Sequence, residues 1–199
     1  MKDPYRTRRT LIERVKNQHD DKSWEEFVRV YQDYIYAIIR RMGISEHDAD
    51  DLLQQVLINL WNNLPKMDYD DIKRFRSVLS TVTRHRVIDF MRKRGTDANR
   101  LERAGQDETL SYLSSITQSE VDAIADREWE IHLTNLAVAK VEPLFSGQAV
   151  KAFRLSLKGL SIEEISQELG LQENSVYRLR NRVKVRLIQE IAQLRKELE

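Results

Sequence analysis

The chain has 199 residues, 33% charged and 41% hydrophobic, enough for one medium domain or two small ones. It contains no cysteine, which excludes disulfides, thiolate nucleophiles and cysteine-ligated zinc, and fits a reducing compartment. The net charge of +1 conceals uneven placement, because bases gather between Lys73 and Arg94 and between Tyr177 and Arg186, while acids gather between Glu46 and Asp51 and at Glu163, Glu164 and Glu168.

No run approaches the roughly 18 to 20 apolar residues that a membrane-spanning helix needs, and the start MKDPYRTRRT lacks the apolar core of a secretory signal. The expectation is a soluble, cytoplasmic chain without membrane insertion. Glycine and proline are scarce and apolar residues recur every three to four positions, which predicts an all-α fold.

The segment up to Lys22, with Arg6, Arg8, Arg9 and Arg14, reads equally as a short helix or a basic arm. Ser23 followed by Glu26 predicts a capping box, and Trp24, Phe27, Val28, Tyr31, Ile35, Ile38, Ile39 and Met42 form one apolar stripe that ends at Gly43. Ser45 is a good N-cap for a second helix that buries Ala49, Leu52, Leu53, Val56, Leu57, Leu60 and Leu64 until Pro65 stops it. A third helix, lined by Phe75, Leu79, Val82, Val87, Phe90 and Met91, ends before Gly95.

Residues 96–125 are polar and serine-rich and predict a flexible linker, since Leu110, Leu113 and Ile116 offer too little apolar surface to anchor a domain. A second small helical domain is expected over 126–199, after a first over 1–95. Its first helix carries Ile131, Leu133, Leu136 and Val138 and breaks near Pro143, and another runs from about Ser146 to Lys158.

The last segment reads as two helices joined by a tight turn. Ser161 and Glu164 predict a capping box, Ile162, Ile165 and Leu169 face inward, Gly170 suits a left-handed C-cap, and Leu171 anchors the turn. The final helix buries Val176, Leu179, Val183, Leu187, Ile191, Leu194 and Leu198, leaving Asn174, Tyr177, Arg178, Asn181 and Arg182 on another face. In a helix-turn-helix the second helix enters the major groove, where amides and guanidinium groups read base edges. Gln172, Asn174, Ser175, Tyr177, Arg178 and Asn181 fit that role; Arg180, Arg182, Lys184 and Arg186 divide between backbone contacts and solvated charge. A two-helix hairpin with a charged outer face is the plainer alternative.

The stretch DADDLLQQVLINLW, Asp48 to Trp61, could be a metal site, a helix start or a partner surface. Asp50 and Asp51 are neighbours and point about 100° apart around a helix, which argues against a hydrolytic metal site built with Asp48, Glu46 and His47. Acids in a first turn favour the helix dipole, which accounts for Glu46 and Asp48 but not for Gln54, Gln55 and Asn59. No catalytic residue, metal or cofactor is expected.

Three stretches together resemble a bacterial RNA polymerase sigma factor of the extracytoplasmic-function (ECF) type of the sigma-70 family. DADDLLQQVLINLW resembles the family's DAEDLVQEVFLRLW, FRSVLSTVTRHRVIDFMRKR resembles FRAWLYRIARNRALDFLRRR, and LSIEEISQELGLQENSVYRLRNRVKVRL resembles LSYEEIAEILGISEGTVKSRLHRARERL. The resemblance implies a non-enzymatic sigma factor with a region 2-like bundle, a linker and a region 4-like helix-turn-helix. It would bind core RNA polymerase, direct it to promoter DNA and promote DNA opening.

By the same resemblance, Asp51, Gln54, Gln55 and Asn59 meet the polymerase. Arg84, His85, Arg86, Asp89, Arg92 and Lys93 meet the minus-ten element, and Gln172, Asn174, Ser175, Tyr177, Arg178, Asn181 and Arg182 meet the minus-thirty-five element. Capturing an unstacked base calls for such a basic surface with groups that stack or hydrogen-bond. His85 stands where the family usually has asparagine, Val78 replaces a frequent tryptophan, Asn174 a glycine and Tyr177 a basic residue, so a relative's promoter sequence does not carry over. An anti-sigma factor is a further partner the resemblance allows; such partners cover these same surfaces and leave no motif of their own. The alternative is a stand-alone helix-turn-helix regulator, which predicts tight operator binding without polymerase.

Overall fold

Eight α-helices run through the described residues, 8–68, 75–101 and 116–198 of this computed structural model. They are α1 (Arg8–Val15), α2 (Asp21–Arg41), α3 (Glu46–Asn63), α4 (Phe75–Leu101), α5 (Gln118–Val141), α6 (Gly147–Leu157), α7 (Ile162–Leu169) and α8 (Glu173–Leu198). Short 3-10 turns, Leu64–Lys66 and Glu142–Leu144, follow α3 and α5, each with proline in its first positions. The chain is all-α throughout the described residues. Arg6, Lys73, Leu110, Leu113 and residues 102–115 of the expected linker lie outside them. Two units divide at His132: Met1–His132 and Leu133–Glu199.

In the first unit the cap of α2 lies three residues before its expected place. Asp20 accepts hydrogen bonds from the backbone N–H of Ser23 at 3.1 Å and from its hydroxyl at 2.6 Å. These bonds, the hydroxyl's first, hold the Asp20 carboxyl below its usual range. Ser23 is buried within the first turn, and Glu26 is turned away to Arg14 at 2.7 Å, so neither forms the capping box the spacing suggests. The stripe of α2 does reach the core: Phe27, Val30, Tyr31, Tyr34, Ile35, Ile38 and Ile39 are buried. Helix α4 continues past Gly95 to Leu101, since one glycine costs only about 1 kcal/mol in a helix interior.

An aromatic cluster fills the centre of this unit. Phe27, Tyr31 and Phe75 meet with centroids 4.9 to 5.8 Å apart, and Trp129 joins from α5, 5.1 Å from Tyr34 and 6.3 Å from Tyr31. Trp129 is fully buried, whereas Ile131, expected inside, is 41% exposed. The buried apolar positions of α5 are Val121, Ala125, Trp129, Leu133, Ala137 and Val141, a clean four-residue repeat that places Ile131 on the opposite side. Polar contacts fasten the same segment: Arg84 to the Ile116 carbonyl, Ser80 to Asp122, Tyr34 to the Ala125 carbonyl, and Arg41 to the buried Glu128. Residues 116–132 therefore pack within the first unit.

The start of α5 carries a capping box that the sequence spells as Thr117-x-x-Glu120. The Thr117 hydroxyl accepts from the Glu120 N–H at 3.2 Å, and the Glu120 carboxylate accepts from the Thr117 N–H at 2.7 Å. That N–H first, then the hydroxyl, lowers the Glu120 pKa.

The second unit is built on two small clusters. Val141, Ala149 and Val183 form one, with Phe145, Phe153, Leu179 and Leu187 against it; Ala152, Ile165 and Val176 form the other, with Leu155, Leu160, Ile162, Leu169 and Leu171. Ser161 and Glu164 make a complete capping box at α7, which lowers the Glu164 pKa chiefly through the Ser161 backbone N–H. Gly170 closes α7 at φ 63° and ψ 35°, a left-handed conformation that disfavours side chains with a Cβ. The hydroxyl of Ser166 then donates to the Leu171 carbonyl at 2.5 Å, fixing the turn. Glu190, which a strict apolar repeat passes over, is buried between Lys140 at 3.1 Å and Arg186 at 2.9 Å.

Candidate functional site

The docking candidate is the outer face of α3. Ser45 caps the helix by accepting from the Asp48 N–H at 3.2 Å, and its hydroxyl donates to the Asp48 carboxylate at 2.6 Å, so Asp48 serves the cap. Ala49, Leu52, Val56 and Leu60 seat the helix in the core, with Leu53 and Leu57 half-buried. Asp51, Gln54 and Gln55 are exposed, and so is Ile58, at 60%. Ile58 falls outside the buried three-to-four repeat, and that offset was the available signal for an apolar residue among outward amides.

Asn59 sits differently. At about 100° per residue it is rotated roughly 80° from Asp51, past Gln55 and away from Ile58. It is half-buried and lines a groove of about 490 Å³ beside α4 rather than joining the exposed row. Among the described residues no group of three or more histidine, cysteine, aspartate or glutamate side chains could hold a metal.

That groove gathers most of the expected minus-ten residues. Arg84, His85, Arg86, Asp89 and Arg92 line it together with Val82, Ile88 and Asn59, while Lys93 is exposed outside it. Arg84 is anchored: Nη2 donates to the Ile116 carbonyl at 2.9 Å, and its buried Nε has no hydrogen-bond partner among the described residues. It braces α4 against the start of α5 while facing the groove. Arg86 and Asp89 approach to 4.0 Å, an i, i+3 pair on the half-exposed surface of α4. His85 is exposed at the rim. The chemistry is a basic surface with half-buried apolar Val82 and Ile88, and with both donors and acceptors along its sides.

In the second unit, α8 presents Gln172 in the preceding turn and Asn174, Tyr177, Arg178, Asn181 and Arg182 as exposed residues, with Ser175 half-buried. The Gln172 carbonyl accepts from the N–H groups of Ser175 and Val176, which starts the helix. Val176 and Val183 hold the opposite face in the two clusters, and that grip orients the polar face outward. Arg180 lies 5.8 Å over the Tyr177 ring, and Arg182 lies 5.9 Å over Phe145, both within cation–π range. The two rings restrain guanidinium groups that would otherwise move freely in solvent.

Residues 27–96 match the family model for Sigma-70 region 2, a span that contains both the outer face of α3 and the groove. The ECF RNA polymerase sigma factor SigE of Mycolicibacterium smegmatis is 25% identical over 162 residues, covering 77% of this chain and 56% of that protein. This chain thus spans little more than half the length of that relative. The ECF RNA polymerase sigma factor SigW of Bacillus subtilis is 26% identical over 168 residues, 83% of this chain and 86% of that one. The solved structure of CnrH in complex with the cytosolic domain of CnrY aligns over 93% of this chain and 97% of that chain, at 17% identity and a TM-score of 0.37. The region 2 match and these two curated relatives make the chain similar to the ECF sigma factors of the sigma-70 family.

Proposed function

We propose that this protein is a sigma factor that binds core RNA polymerase, directs promoter recognition and promotes opening of the duplex, acting in the cytoplasm as a binding subunit and not as an enzyme. The observation that carries this reading is the pairing, inside residues 27–96, of two separate surfaces: an outward amide and carboxylate row around Ile58, and a basic groove. The first suits a protein partner, since outward amides and a carboxylate beside an exposed isoleucine offer hydrogen bonds and apolar contact together. The second suits a displaced single strand.

Asp51, Gln54 and Gln55 with Ile58 are the polymerase-facing residues in this scheme. His85, Arg86, Asp89, Arg92 and Lys93 contact the minus-ten strand, with Arg84 as their brace. Gln172, Asn174, Ser175, Tyr177, Arg178 and Asn181 read the minus-thirty-five element, and Arg182 contacts its backbone. The region 2-like domain corresponds to the first unit and the helix-turn-helix domain to the second. An anti-sigma factor would compete for these same surfaces. No helix among the described residues is long and apolar enough to cross a membrane.

The test is direct. Purified protein mixed with bacterial core RNA polymerase is expected to co-elute in size exclusion at one-to-one stoichiometry and to start transcription at defined positions in a promoter library. Tight binding of a two-fold symmetric DNA site by the protein alone, with no co-elution, would assign it instead to the stand-alone regulators.

A further inference from the structure

Asn59 belongs by sequence spacing to the docking row, but by position to the groove beside α4. Its carboxamide is already oriented. Oδ1 accepts from Asn63 Nδ2 at 3.3 Å, and the same Asn63 nitrogen donates to the Asn59 backbone carbonyl at 2.8 Å. With Oδ1 engaged, the two N–H donors of Asn59 make no hydrogen bond among the described residues and remain for a ligand. The groove they border holds about 490 Å³, within the range of about 300 to 1,000 Å³ typical of ligand pockets, which suits an extruded base. Val82 and Ile88 offer apolar contact, and His85 and Asp89 stand along the same groove.

We infer that Asn59 is a specificity-determining residue of this groove: its amide donates to acceptor atoms on the edge of one unstacked minus-ten base, and it does not act in polymerase docking. The inference rests on the reading of the groove as the minus-ten site. Oδ1 accepts one hydrogen bond from Asn63 and keeps its second lone pair, so the two N–H donors are the part of the amide that makes no hydrogen bond among the described residues. The selected base is one that sets an acceptor, a carbonyl oxygen or a ring nitrogen, against those donors.

Complexes of core RNA polymerase with the wild-type chain, Asn59→Ala and Asn59→Asp are compared on a promoter library randomised across the minus-ten region, with core affinity measured in parallel by fluorescence anisotropy and helicity by circular dichroism. Asn59→Ala is expected to flatten the preference at one minus-ten position fivefold or more. Asn59→Asp, which offers only acceptors, is expected to change which base is preferred at that position, toward one that sets a donor against the carboxylate. Core affinity stays within twofold in both. A fivefold loss of core affinity with unchanged base preference would return Asn59 to the docking face and overturn the inference, as would no change in either measurement. A wild-type complex that binds core but selects no minus-ten base would locate the failure in the reading of the groove itself, and the role of Asn59 would fall with it.

Discussion

Tyr34 of α2 and Trp129 of α5 meet edge to face, with ring centroids 5.1 Å apart and planes at 72°, although 95 positions separate them in the chain. Trp129 is fully buried, and the Arg76 guanidinium covers its ring at 5.4 Å. Trp129→Ala is therefore expected to destabilise the first unit by about 3 to 5 kcal/mol, the usual cost of removing a buried large aromatic. Urea denaturation followed by circular dichroism measures it, and a loss below about 1 kcal/mol would show that residues 116–132 do not support this unit.

His132 gives the first unit a dependence on pH. Burial lowers its pKa below the ordinary 6.5, more than the hydrogen bond to the Val30 carbonyl and the Asp33 carboxylate raise it. The unfolded chain then binds a proton that the folded chain resists. The stabilisation is complete above the unfolded value and is lost as pH falls through about 6.5 toward the lower folded value, at no more than about 1.4 kcal/mol per pH unit. His132→Phe should flatten this part of the profile between pH 7 and 5, read from urea midpoints at each pH.

Ile58 is 60% exposed at the centre of the row formed by Asp51, Gln54 and Gln55. Ile58→Glu should leave helicity and thermal stability unchanged, because no buried contact is removed. Its affinity for core RNA polymerase should fall at least tenfold, or about 1.4 kcal/mol. Titration of labelled core enzyme checks it, and an unchanged affinity would move the docking surface elsewhere on the molecule.

On α8 two arginines separate by placement. Arg178 shares its face with Asn174 and Asn181, whereas Arg182 is held over Phe145. In the polymerase complex, Arg178→Ala should relax base preference in the upstream element at a cost of about 1 to 3 kcal/mol on the best sequence. Arg182→Ala should weaken all sequences alike and reduce the dependence of log affinity on log salt by about one unit. Promoter-library selections at two salt concentrations distinguish the two effects.

Much of this was legible in the chain because the signals are local. The capping box of Ser161 with Glu164, the left-handed Gly170, and the outward Asp51, Gln54 and Gln55 each depend on residues within one or two helical turns. The Thr117-x-x-Glu120 box was equally visible and was passed over for the polar composition around it. Asp20 displaced Ser23 as a cap because its carboxylate accepts both Ser23 donors, a competition between neighbours that spacing alone does not rank.

Other features required distant parts of the chain to meet. Only the fold brings the Tyr34 hydroxyl to the Ala125 carbonyl and Arg41 to Glu128, pairs that lie 91 and 87 positions apart, and long-range contacts of this kind place residues 116–132 in the first unit. The same holds for Asn59, whose spacing along α3 fits either neighbour face. By itself the sequence determined the helices, their caps and the polar faces, since these follow from backbone hydrogen bonding and periodicity at short range. The tertiary structure decided which faces are shared between helices, because burial in a common core depends on surfaces that no single segment contains.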